Sequence, residues 1–301
     1  MDLKKHQPSL NIDEQIENLR SKGLLFDDEN QAKQMLNDVS YFRLIKGYSL
    51  GLKPINENYF EGVSFNDIIE LYKFDSHLRQ FIFPRIETVE VNLRCRIGNY
   101  FSNKYDIFGY EDSDNFKDPE YHSELVKSIK LEISRNKKSP YVRNFTTAYN
   151  PGKLPFYSLI ELFSFGTLSK FYKNMLNADK KCIADYYNVK YTYLESWIES
   201  IAYVRNICAH YGRLYNIKLT KTPAIYDCYR NMGIRNNRIF AILICLKYLL
   251  PMDERWRKFI SNINLSLKYY QKVDLKKIGF PDNWIEILLP DNNENKQISD
   301  E

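Results

Sequence analysis

Arg205, Asn206 and His210 stand together in the stretch Leu194 to Arg213, whose apolar residues recur at helical spacing. On a helical plot at about 100° per residue, Asn206 and His210 lie one turn apart and Arg213 falls one turn further on. Three polar side chains can then converge on one object outside the helix. Arg205 sits about 140° round the cylinder from His210, at the border of the apolar face, and must swing to reach the imidazole. These residue types suit cleavage of an RNA phosphodiester without a metal. A neutral imidazole can take the proton of a ribose 2′-hydroxyl, or give one to the departing 5′-oxygen, because its ordinary pKa lies near working pH. A guanidinium fork matches phosphate oxygens and stabilises the extra charge of the pentavalent state. Asn orients either partner without adding charge. One helix supplies a single His, whereas acid–base cleavage is better served by two. A symmetric dimer would bring two His and two Arg to one phosphate and relieve the awkward angle of Arg205.

The helix that carries them needs an apolar face to seat it. Trp197, Ile201, Val204, Cys208 and Tyr211 fall within about 40° of one direction and predict that face, with Glu195, Glu199 and Tyr203 on the polar side. Cys208 reads as a small core residue. His6, His77 and His122 have no comparable neighbours in sequence.

Downstream, residues 201–280 hold fifteen Lys and Arg against four Asp and Glu, a net +11, while the rest of the chain is −6. Cations interleaved with Tyr211, Tyr215, Tyr226, Tyr229, Tyr269 and Tyr270 suit a polyphosphate with unpaired bases. Tyr211, Arg213, Lys218, Lys221, Arg235 and Arg238 are the expected RNA contacts.

The whole chain has 301 residues, 44 % of them hydrophobic and 27 % charged, which suits a folded chain with a sizeable core. Eleven Gly and eleven Pro are few for a turn-rich sandwich or barrel. No convincing alternating run appears, so the expected class is all-α. The spacing predicts helices around Ile12–Leu19 and Ala32–Val39, then a long one from Phe65 to about Lys104, begun by a Ser64/Asp67 capping pair and interrupted at Pro84. Further helices are expected at about 120–138, 156–162, 168–175, 180–187, 192–211, 237–250 and 253–270. Residues 1–62 read as a helical lead-in packed on a main domain, 63–290 as that domain, and 291–301 as a fraying tail.

The first residues lack an apolar signal core, and the longest apolar run, about twelve residues near Ile239, is too short to cross a bilayer. Five Cys without a C-x-x-C pair predict neither a disulfide framework nor a zinc site. No cofactor is expected, and a reducing cytoplasm is the expected compartment.

Four ordered blocks carry a resemblance. Arg205-Asn206-Ile207-Cys208-Ala209-His210, with Tyr211-Gly212-Arg213-Leu214-Tyr215-Asn216 after it, resembles the R-N-x-x-x-H signature of HEPN-type proteins, and specifically their abortive-infection branch (Abi-like, AbiD/AbiF). Ser40-Tyr41-Phe42-Arg43-Leu44 to Gly47-Tyr48 is similar to that family's S-Y-Y-R-L-x-G-Y block. Leu71-Tyr72-Lys73-Phe74-Asp75, with Leu78-Arg79 and Ile86-Glu87 to Arg94, is similar to its L-Y-x-F-D-x-x-L-R helix. Pro155-Phe156 to Glu161 and Ser164-Phe165-Gly166-Thr167-Leu168-Ser169 match a fourth block, with Tyr157 where Trp is common.

The resemblance implies a HEPN-type helical bundle with additional N- and C-terminal helices, usually dimeric, that cuts RNA without metal and arrests growth during phage infection. It implies catalytic positions for Arg205 and His210, with Asn206 the polar position beside the arginine. Arg43, Tyr48, Asp75, Arg79, Glu87 and Glu161 fall in family blocks without an assigned role, Arg79 and Glu87 reading as structural ion-pair partners. A toxin of this kind needs restraint, and a small non-coding RNA is the implied partner. Two other readings stay open: an RNA-binding protein that holds a structured RNA and cuts nothing, and a subunit that positions or inhibits another protein.

Overall fold

The computed structural model describes residues 8–54, 57–149 and 153–289. Among them the fold is all-α, as expected; the extended pairings are isolated bridges, such as Leu25 with Ser64. His6, Pro151, Gly152 and the 291–301 tail lie outside the described residues.

Helix α1 (Ile12–Arg20) starts at a reciprocal Asn11/Glu14 capping box, and α2 (Glu29–Asp38) starts at Asp28, whose side chain accepts from Gln31 N. A π-helical turn, Phe42–Lys46, follows. Helix α3 (Phe65–Tyr105) then runs 41 residues with Pro84 inside it. The backbone N–H of Ser64 donates to the Asp67 carboxylate at 3.0 Å, as the capping pair predicts. The lead-in is tied to this start: Leu25 exchanges backbone bonds with Val63 and Phe65, and Phe26 stacks on Phe65 at 5.4 Å.

α3 is the spine. Along it Ile68, Leu71, Phe74, Leu78, Ile82, Ile86, Val89, Leu93 and Ile97 are buried at helical spacing, with Tyr72 and Phe83 half-buried beside them. Against it pack α7 (Phe165–Asn174), α9 (Tyr191–Ala209), α11 (Ile239–Leu249) and α12 (Glu254–Tyr269). α11 is apolar almost all round because neighbours surround it, and Phe240 to Leu246 are buried without exception. The far end of α3 is closed by rings: Phe101 lies 4.8 Å from Phe156 and 5.0 Å from Phe171.

Between these run α4 (Pro119–Arg135), α5 (Pro140–Ala148), α6 (Phe156–Leu159), α8 (Asn177–Asp185) and α10 (Asp227–Asn231), with α13 (Leu275–Ile278) and α14 (Trp284–Leu288) closing the described chain. The segment of α5 carries no long apolar stripe, which is why periodicity passes over it; Val142 is its buried residue. No described helix is long and apolar enough to cross a membrane.

Candidate functional site

α9 presents the expected apolar face: Trp197, Ile201, Val204 and Cys208 are buried against the core. The Trp197 indole N–H donates to the Ala224 carbonyl at 2.6 Å, which draws the following loop back along the helix. The helix stops earlier than its pattern predicts. Ala209 is its last residue and His210 its C-cap, whose N–H still donates to Asn206 O at 3.1 Å.

The stop has a local cause. Tyr211 adopts a left-handed backbone, φ 55°, its N–H bonds Cys208 O at 3.1 Å, and Gly212 N–H bonds Ile207 O at 2.7 Å. This is the Schellman arrangement, here with Tyr in the position glycine usually holds. Gly212 is required by close approach, since a Cβ there would lie 2.8 Å from Ile207 Cγ2. Tyr211 therefore leaves the apolar stripe assigned to it and is 72 % exposed.

A tyrosine in that conformation costs about 1–2 kcal/mol, so other contacts must hold it. They come from the family blocks that sequence left without a role. Arg43 Nη1 donates to Tyr211 O at 2.6 Å, and Arg79 Nη1 donates to Gly212 O at 3.1 Å. Asp75, fully buried on α3, accepts from Arg79 at 2.5 Å, from the Tyr48 hydroxyl at 2.6 Å, and from the N–H groups of Leu214 and Tyr215. Burial pushes the Asp75 carboxyl upward, and the Arg79 charge, the Tyr48 hydroxyl and the two backbone N–H groups act against that. The segment 211–215 is thus clamped from two directions immediately after His210.

Arg213 does not continue the polar face of α9, a correction to the expected triplet. Because the helix ends at Ala209, Arg213 turns inward beside Gly47, half-buried, with its Nη1 lacking a hydrogen-bond partner among the described residues. Burial lowers its pKa, and the Tyr48 and Asp75 neighbours raise it. Asn206 and His210 both face solvent. Arg205, one-third exposed, is held on α3 instead: its Nε donates to Glu90 Oε2 at 3.3 Å and its guanidinium lies 5.8 Å from the Phe83 ring centroid. Glu90 also accepts from Arg94 at 2.8 Å, and Arg94 reaches the Phe163 carbonyl at 2.8 Å.

Glu87, expected as an ion-pair partner, is exposed and makes no ion pair among the described residues; Glu90, three residues on, takes that part. Glu161 approaches Arg94 at 3.9 Å from the surface. Sequence reasoning passed over Glu90, although the i, i+4 spacings of Glu90 with Arg94 and of Asp75 with Arg79 were visible in it.

Of the expected RNA contacts, Lys218 and Arg235 are exposed, and Lys221 is exposed but paired with Glu199 at 2.7 Å. Arg238, another expected RNA contact, is half-buried and donates to the carbonyls of Ile217 and Lys277 at 2.8 and 3.0 Å, tying the loop after α9 to α13. His122 is buried, 4.5 Å from the Phe116 ring and 2.8 Å from the Tyr110 carbonyl, and serves the fold.

Comparison with protein families matches residues 34–216 to the Abi-like protein family. No curated protein and no solved structure matches this chain. The matched span runs from α2 through the π-helical turn, α3 and α9 to the clamped turn, and it contains Arg43, Tyr48, Asp75, Arg79, Glu90, Arg205 and His210. By that match, over more than half its length, the chain belongs to the Abi-like protein family.

Proposed function

We propose that this protein is a HEPN-type endoribonuclease of abortive infection that cuts RNA without a metal, using Arg205 and His210 at the meeting of two copies of the chain. The observation that carries the reading is the fixed, solvent-facing end of α9. His210 and Asn206 are exposed one turn apart, and the turn beyond them is held by Arg43, Asp75 and Arg79. Such rigidity suits a general base, which works only when held within hydrogen-bond reach of its proton.

In the proposed reaction one imidazole takes the proton of the 2′-hydroxyl as the 2′-oxygen attacks phosphorus. The bond from phosphorus to the 5′-oxygen breaks, and the leaving oxygen receives a proton from the second copy's imidazolium. Arg205 stabilises the phosphorane charge. Tyr211, next to His210, and Phe42, 78 % exposed and next in the chain to the Arg43 that bonds Tyr211, supply apolar surface for that second copy to cover.

A second reading, an RNA-binding protein without cleavage, is favoured by one observation: in the single chain Arg205 is already engaged by Glu90. Incubation of the purified protein with single-stranded RNA in EDTA separates the two. Fragments from the parent, reduced about 10²–10⁴-fold by His210→Ala, support the nuclease. Salt-dependent binding that survives Arg205→Ala/His210→Ala, with an uncut substrate in the parent, supports the binder.

A further inference from the structure

α3 and α12 lie side by side, and one seam between them stays open as a cavity of about 600 Å³. From α3, His77 and Phe81 line it, one turn apart, with ring centroids 6.1 Å from each other. From α12 and its end come Leu265, Ser266, Tyr269 and Tyr270, with Asn262 beside them. The Tyr270 hydroxyl lies 3.1 Å from His77 Nδ1 and fixes that ring, while Tyr269 meets Tyr270 edge-on at 4.8 Å.

The apolar material here faces water: Tyr269 is 77 % exposed and Leu265 is 60 % exposed. Ser266 is 8 % exposed, and its hydroxyl has no hydrogen-bond partner among the described residues. The Asn262 amide offers both a donor and an acceptor. Two exposed cations flank the seam and make no ion pair among the described residues. Lys73 is one turn before His77 on the same edge of α3, and Lys268 adjoins Tyr269.

The open face of Tyr269, the exposed His77 ring, an amide and neighbouring ammonium groups form a consistent set. We infer that this seam stacks one unpaired base of a single RNA strand, with Lys73 and Lys268 meeting the adjoining phosphates. Aromatic faces accept any base, and the exposed Asn262 amide can bond its edge. The inference rests on the reading that this protein handles RNA, and it adds a second grip away from His210. The two places share a frame: Tyr270 contacts Phe74 at 6.1 Å, Phe74 contacts Tyr215 at 6.2 Å, and Tyr215 is bound to Asp75 in the clamp.

The test is fluorescence anisotropy with a labelled single-stranded RNA dodecamer and the full chain carrying His210→Ala, titrated at several salt concentrations. Adding Tyr269→Ala should weaken binding about 5- to 150-fold, the worth of one stacked base, and leave the slope of log Kd against log salt unchanged. Adding Lys73→Ala instead should reduce that slope by about one. Tyr269 projects into solvent, so an unaltered circular dichroism spectrum is expected for its variant. Equal affinity with and without Tyr269 would overturn the seam, as would a His210→Ala chain that binds no RNA. Cleavage by the parent with no Tyr269 effect removes the seam and leaves the nuclease; a Tyr269 effect with no cleavage does the reverse.

Discussion

Asp75 does more for the candidate site than any residue within it. Its carboxylate gathers Arg79, Tyr48 and two backbone N–H groups, and in doing so fixes the chain five residues past His210. Replacing it with Asn removes the charge that answers a buried guanidinium and presents an amide N–H where only donors converge. Asp75→Asn should cost about 3–5 kcal/mol in chemical denaturation. Tyr48→Phe, which deletes one donor, should cost about 1 kcal/mol. A change below about 0.5 kcal/mol in both would deny the clamp its role. The thiols give an independent check on side-chain placement. Cys95 and Cys182 are exposed and should react promptly with a thiol reagent at pH 8. Cys208, whose thiol burial pushes up to about 12, and Cys245, also raised by burial, should react only on unfolding. Prompt reaction of four thiols in the native protein would contradict the packing of α9 and α11. At this scale the types and spacing of Arg205, Asn206 and His210 were readable from the chain. Their surroundings were not: Asp75 meets Leu214 and Tyr215 across about 140 residues of sequence, and no local pattern reports such a pairing.

Among the elements, α3 links both ends of the site. Its first half carries Asp75 and Arg79 to the clamped turn, and its middle carries Glu90 to Arg205 and Arg94. Glu90→Ala would leave two guanidinium groups without their shared acceptor and should lower stability by about 3 kcal/mol, read as a fall in the denaturation midpoint. If stability is unchanged, Glu90 is not holding that junction. The long, strongly patterned α3 was legible because apolar periodicity and the Ser64/Asp67 cap agree there. The end of α9 was not. Nothing in its sequence forbids helix through Tyr211; the helix stops because Arg43, Arg79 and Asp75 capture the turn, with Gly212 the one local sign. Arg213 was misplaced for the same reason, and two residues of helix decide whether it faces solvent or the Gly47–Tyr48 segment.

Over the whole molecule, the positive balance of residues 201–280 is spent in two ways. Arg238 is a structural staple, and Lys221 and Lys272 pair with Glu199 and Asp67. Lys218, Arg235 and Lys268 are exposed and make no ion pair among the described residues. Composition alone showed the charge but could not divide it, because the division depends on which loops the fold brings together. The ends of the cut strands report whether His210 does acid–base chemistry on RNA. With single-stranded RNA in EDTA, the parent protein is predicted to leave a 2′,3′-cyclic phosphate on one fragment and a 5′-hydroxyl on the other. It is also predicted to spare a substrate with 2′-deoxyribose at the cut position, and His210→Ala should cut at least about 100-fold more slowly. Equal cutting by His210→Ala, or cutting at the deoxy position, would contradict that chemistry.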